Sequence, residues 1–144
     1  MTREHEGAAV LQEFFTPRAV AVIGVSDRPT NLASNIVKNL QTWGYAGEIF
    51  PVGRSGGAVH GLPVLTSVDD LPDGVDLACV LTPAAAVPGL VQDLGGRGVR
   101  AVNIQSSGFS ELSGQGEALA EQVMDAARAH GVRVLGPNCI GTMD

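Results

Sequence analysis

Apolar positions fall in short β-branched runs that alternate with longer stretches of helical spacing, and this alternation organises the whole chain. Residues 10–16 predict a short helical or capping segment ended by Pro17, and residues 19–25 predict a buried strand. Residues 31–43 place Leu32, Ile36, Val37 and Leu40 at helical spacing, with Trp43 extending the same side and Gly44 and Gly47 closing the helix. A second strand follows at 48–52, then a Gly-rich loop, a small element around Val64 and a turn at 67–72. Residues 75–81 form the third strand, 84–95 a helix and 100–105 the fourth strand. Residues 115–130 give a helix with Leu119, Val123, Met124 and Ala127 on one face, and 132–135 the fifth strand.

Strands alternating with helices of ten to sixteen residues imply βαβ units and a parallel sheet covered on both faces. The expected fold is therefore α/β: a Rossmann-like, doubly wound parallel sheet in a single domain at 19–144, preceded by a capping segment at 1–18. The most economical strand order is 3-2-1-4-5, with its switch point between strands one and four. Ligands bind outside the carboxyl ends of the strands at such a point, so loops 24–31 and 106–108 are expected to converge there.

Composition narrows the functional classes. A chain of 144 residues, 44% hydrophobic and 17% charged, fits one globular domain. Nine basic residues against fifteen acidic give a net charge of -6, which disfavours general nucleic-acid binding. The polar start Met1-Thr2-Arg3-Glu4-His5-Glu6 does not resemble a secretory signal, and no run approaches the ~20 apolar residues of a membrane span. Cys79 and Cys139 share no metal or redox spacing, so a reduced cytoplasmic setting is the expectation.

Candidate chemistry lies in the loops after the strands. After Gly24, the second glycine position of a dinucleotide fingerprint holds Ser26 and the third holds Pro29, so G-x-G-x-x-G is absent. The turn still suits a phosphate. Ser26 offers a hydroxyl and an N–H, and the helix start near Asn31 adds aligned amides, although Asn31 and Ser34 are equally ordinary cap residues. After strand two, where an NAD enzyme usually carries an acid, this chain carries Arg54. A guanidinium there suits a ribose phosphate, as in NADP or the 3′-phosphate of coenzyme A, or it is a solvated surface arginine. Thr82-Pro83 makes a turn that starts the next helix and can press against an adenine. Ser106, Ser107 and Gly108 can meet a pyrophosphate or pantetheine amides, or simply turn the chain. Cys79 reads as core, Cys139 lacks an activating histidine, and His5, His60 and His130 read as solvated. No catalytic triad, metal set or acid pair emerges.

The run Phe14-Phe15-Thr16-Pro17-Arg18-Ala19-Val20-Ala21-Val22-Ile23-Gly24-Val25-Ser26 closely resembles the opening of the NDP-forming acyl-CoA synthetases, relatives of the succinyl-CoA synthetase α subunit. The resemblance continues through Gly47-Glu48-Ile49-Phe50-Pro51-Val52 and Val75-Asp76-Leu77-Ala78. It extends to Ser106-Ser107-Gly108-Phe109-Ser110-Glu111 and Gly136-Pro137-Asn138-Cys139-Ile140-Gly141, and so covers nearly the whole chain. It implies a domain that binds CoA or acyl-CoA. Gly24, Ser26, Arg28 and the loop through Asn31 would hold CoA phosphates, and Thr82 and Pro83 would line the nucleotide. Ser106, Ser107, Gly108 and Asn138 would approach the pantetheine or thioester end. Two positions depart from the usual family pattern. Val52-Gly53-Arg54 stands where many relatives have Val-Asn-Pro, and Ala33 stands where they often have glycine.

The resemblance also implies that this is the N-terminal piece of a longer protein. The family's phosphorylated histidine and its ATP-grasp module lie in other domains or subunits, and the same set occurs fused to a protein acetyltransferase. The alternatives to a CoA site are an NADP-binding oxidoreductase domain, which Arg54 permits, and a non-catalytic CoA-sensing module.

Overall fold

Strand composition decides which strands take the centre of the sheet. The protein is described by a computed structural model covering residues 11–109 and 114–139. β1 (Ala19–Ile23) is buried at every position. β2 (Glu48–Val52) is buried only at Pro51 and Val52. A small antiparallel hairpin follows, β3 (Ala58–Val59) and β4 (Leu62–Pro63). β5 (Leu77–Val80) and β6 (Ala101–Ile104) are again wholly buried, and β7 (Arg133–Leu135) is only partly covered. Strands apolar on both faces belong inside a parallel sheet.

The observed order is β2-β1-β5-β6-β7, with every neighbouring pair parallel. Counting the five sheet strands alone, this is 2-1-3-4-5, and it corrects the expected 3-2-1-4-5. The physical reason is Pro51. Proline has no N–H to give to a second neighbour, which confines β2 to an edge. Val22 faces Pro51 across the β1–β2 ladder, and on the outer side the Pro51 carbonyl accepts from Leu65 N–H at 2.9 Å.

Helices cover both faces. α1 (Leu32–Thr42) packs Ala33 and Val37 onto Val20, Val22, Leu77 and Cys79. α2 (Val87–Gly96) follows a 3-10 turn at Ala84–Ala86 and joins α3 (Gly114–His130) on the other face. There Val91, Leu94, Val123 and Ala127 meet Ala21, Val80 and Val102. The apolar stripes differ in detail from expectation. Leu32 and Trp43 are 68% and 85% exposed, and Met124 is 43% exposed. Leu32 and Met124 adjoin the buried Ala33 and Val123, about 100° around the helix from the stripe that reaches the sheet, and Trp43 is the C-cap that follows the last helical residue.

Residues 11–15 are helical, and Phe14 packs against the α1-side core. The rest of the expected capping helix, His5, and the motif residues Ser110, Glu111, Ile140 and Gly141 lie outside the described residues. At the amino end of the sheet Arg18 grips Asp76, with Nε and Nη2 donating to the carboxylate at 3.1 and 3.0 Å and the Arg18 backbone N–H donating at 2.8 Å. This pair ties the entry of β1 to that of β5.

Candidate functional site

The revised strand order moves the switch point to the gap between β1 and β5. The loop 24–31 therefore lies beside Leu81, Thr82 and Pro83, and Ser106–Ser107 stands one strand further away. Backbone bonds lace three strand ends together. Gly24 and Val25 N–H both donate to the Val52 carbonyl at 3.0 Å, and Leu81 N–H donates to the Ile23 carbonyl at 2.9 Å.

Two glycines make this lacing possible. Gly24 has φ 104°, and a Cβ there would overlap the Leu81 carbonyl oxygen. A Cβ at Gly53 would overlap the Val25 carbonyl oxygen. Gly53 thus lets the first two loops touch.

Asn31 shapes the first loop from its far end. Its Nδ2 donates to the Gly24 carbonyl at 3.0 Å, and its Oδ1 accepts from Ser34 N–H at 2.7 Å, capping α1. Both ends of the amide are engaged within the chain. No acidic side chain occupies the first turn of α1, and the one acid of the loop before it, Asp27, is exposed and walls the same cleft as Arg28.

Two clefts open along these strand ends. The larger has a volume of about 830 Å³ and is walled by Ser26, Arg28, Arg54, Thr82 and Pro83, together with Thr66, Leu90 and Asp93. The smaller, about 380 Å³, shares Arg28, Asn31, Thr82 and Pro83 with it and adds Ser106 and Ser107. Both volumes fall in the ~300–1,000 Å³ range of ligand sites or near its lower end. The shared residues form a wall common to both clefts, the ridge between them.

Its polar groups are arranged for an external partner. Arg28 and Arg54 are exposed, and neither forms an ion pair among the described residues. The Thr82 hydroxyl is buried and has no hydrogen-bond partner among them. The Ser26 hydroxyl accepts only a long 3.5 Å contact from Arg28 N–H. Two guanidinium groups, a loop of backbone amides and an unmatched hydroxyl fit a ligand bearing phosphates.

The remaining candidates are placed differently. Ser106 is buried, and its hydroxyl donates to the Val80 carbonyl at 3.4 Å. Asn138 has φ 54° and donates its backbone N–H to the Ser106 carbonyl at 3.0 Å. Neither Asn138 nor Gly108 walls either cleft. Burial pushes the Cys79 thiol up to about 11, which keeps it protonated. His60 is not simply solvated: its Nε2 lies 3.0 Å from the Ser34 hydroxyl, and its carbonyl accepts from Gln41 Nε2 at 3.1 Å. No cluster of metal-ligating side chains occurs among the described residues, and no helix there is long and apolar enough to cross a membrane.

Sequence reasoning passed over Ser55, Thr66, Ser67, Leu90 and Asp93, all of which wall the larger cleft. The signal for the last two was available. Pro83, Ala86, Leu90 and Asp93 are spaced by three, four and three, one stripe of a helix that starts at the cleft.

A family model described as a CoA binding domain matches residues 18–144. The chain is 41% identical over 137 residues to the alpha subunit of acetate–CoA ligase [ADP-forming] I of Pyrococcus furiosus, covering 92% of this chain and 30% of that protein. It is 30% identical over 129 residues to the 4-hydroxybutyrate–CoA ligase [ADP-forming] of Nitrosopumilus maritimus, covering 90% of this chain and 18% of that one. Among solved structures, the dinucleotide-forming acetyl-coenzyme A synthetase 1 of Ca. Korarchaeum cryptofilum, in complex with phosphate and ADP, superposes with a TM-score of 0.85 at 37% identity. That alignment covers 91% of this chain and 28% of the other. The chain thus spans less than a third of the length of these relatives.

Proposed function

The chain belongs to the CoA binding domain family, and from that premise we propose that its two clefts hold a single extended CoA or acyl-CoA. The nucleotide occupies the larger compartment, and the pantetheine arm crosses the Arg28–Thr82 ridge into the smaller one. The observation that carries this reading is the ridge itself. One set of residues walls both clefts at the carboxyl ends of β1 and β5, where doubly wound sheets take their ligands.

Roles follow from chemistry. Ser26, Arg28 and the amides of the loop take the pyrophosphate, and Arg54 takes the 3′-phosphate. The Thr82 hydroxyl supplies a hydrogen bond at the ridge, with Pro83 packed beside it. Ser107 meets the pantetheine, while Ser106, Gly108 and Asn138 hold that segment in place. Asn31 acts through the loop it fixes. Membership in this family favours CoA over NADP, the alternative that Arg54 alone left open.

In the whole protein this domain presents the CoA thiol to a site completed elsewhere. The reaction is that of an NDP-forming acyl-CoA synthetase: acid, CoA and NTP become acyl-CoA, NDP and phosphate, with phosphohistidine and ATP-grasp modules supplying the transfer. The setting is the cytoplasm. Isothermal titration of the chain with CoA, dephospho-CoA and NADPH tests the binding reading. The expected result is saturable binding of CoA, weaker binding of dephospho-CoA and weaker still of NADPH. Absence of CoA binding at two temperatures overturns it.

A further inference from the structure

We propose that Asp93 reads the edge of the purine and makes the larger cleft selective for adenine over a 6-oxopurine. This rests on the CoA reading above and adds base selectivity to it.

Ala86, Leu90 and Asp93 form one stripe of α2 and its lead-in turn, and Val68 walls the same cleft. The apolar members offer flat surface on which an aromatic base can stack. Asp93 is exposed, and its carboxylate makes no ion pair or hydrogen bond with other described residues. An ionised carboxylate only accepts hydrogen bonds, and it repels phosphate. It therefore belongs at the end of the ligand that carries donors and no charge.

The geometry separates the two ends. Asp93 lies seven residues beyond Ala86, roughly 10 Å along the helix at 1.5 Å per residue, whereas Arg28, Arg54 and the amides cluster at the strand ends. Phosphates at the strand ends leave the base beside Asp93. Adenine presents its 6-amino group, a donor that a carboxylate accepts. Hypoxanthine and guanine present a 6-oxo acceptor there and carry a donor at N1–H instead, so a carboxylate aligned with position 6 meets an acceptor. A site built for a donor rejects an analogue that lacks it more strongly than an apolar slot rejects a change of shape.

The test compares CoA with its deaminated analogue, in which hypoxanthine replaces adenine, by calorimetry on the wild-type chain, Asp93→Asn and Asp93→Ala. A hydrogen bond to a charged group corresponds to roughly 10- to 150-fold in affinity, and an exposed one lies toward the lower end. The wild type is expected to prefer CoA by about 10-fold. Asp93→Asn, whose amide can donate to a 6-oxo group, is expected to bind both ligands with similar affinity. Asp93→Ala is expected to bind CoA more weakly and to lose the preference, with no loss of melting temperature because the Asp93 carboxylate makes no ion pair or hydrogen bond among the described residues. Equal wild-type affinity for both ligands overturns the proposal and leaves the CoA reading standing, as does a preference that survives in Asp93→Asn. Failure of the wild type to bind CoA overturns both.

Discussion

The Asn31 side chain spans the first loop, donating to the Gly24 carbonyl at 3.0 Å while it accepts from Ser34 N–H at 2.7 Å. One residue thereby couples a helix cap to the shape of the anion-binding turn. The two functions are separable. Asn31→Asp keeps the acceptor that caps α1, loses the donor to Gly24 and places a negative charge beside the ligand phosphates. Its melting temperature is expected to stay near that of the wild type, with CoA affinity at least ~10-fold weaker. Asn31→Ala loses the cap as well and is expected to cost about 1 kcal/mol in a denaturant titration. Wild-type CoA affinity in Asn31→Asp would show that the turn is not part of the site.

Arg54 tests the other end of the nucleotide. If its guanidinium holds the 3′-phosphate, Arg54→Ala weakens CoA by roughly 1.5–3 kcal/mol, or about 10- to 150-fold. Dephospho-CoA, which lacks that phosphate, is expected to bind the variant and the wild type alike. Equal weakening of both ligands in paired titrations would remove the 3′-phosphate from the assignment.

The alternation of strand and helix was legible in the chain because β-branched runs and helical spacing carry it directly. Residues 48–52 were read with the bounds of β2 that the structure shows, and the α/β class followed. Strand order was not read correctly, although Pro51 held the needed signal: an interior β2 would have left one neighbour without a donor. That error shifted the switch point and drew attention to Ser106–Gly108 ahead of Thr82. Gly53 was noticed as a departure, but its close approach to the Val25 carbonyl depends on two loops meeting in space. The Leu90–Asp93 wall was missed for the same kind of reason, since a helix stripe becomes a cleft wall only once its neighbours are known.

The amino end of the sheet makes a pH prediction. The Arg18 guanidinium, bonded to Asp76, holds that carboxyl below its ordinary 3.8. A depressed acid stabilises the fold above its unfolded pKa, and this contribution is lost as pH falls through the folded value. Glu13 sits nearby with its pKa raised, first by burial and then by the Asp76 charge, so its ionisation opposes folding at neutral pH. Asp76→Asn is therefore expected to destabilise at pH 7, with the difference closing below about pH 4. Glu13→Gln is expected to stabilise at pH 7 and to lose that advantage in acid. Urea midpoints measured from pH 7 to pH 3 read both. Parallel pH profiles for wild type and Asp76→Asn would mean that the ion pair does not set the acid limb.

Thr82 offers the sharpest separation of stability from binding. Its hydroxyl is buried at the ridge shared by the two clefts and finds no partner among the described residues. A buried hydroxyl without a hydrogen bond costs roughly 1–3 kcal/mol. Valine keeps the branched shape and removes the hydroxyl, so Thr82→Val is expected to stabilise the ligand-free chain. A gain of about 1 kcal/mol corresponds to roughly 2–5 °C in melting temperature for a chain of this size. The same substitution removes the group assigned to CoA at the ridge, and affinity is expected to fall about 10-fold. Thr82→Ser keeps the hydroxyl and is expected to hold most of the affinity while losing stability with the methyl group. Stability and affinity moving in opposite directions is the signature of a polar group kept for a ligand. If Thr82→Val instead melts lower and binds CoA like the wild type, the hydroxyl is satisfied within the chain and the ridge contact is wrong.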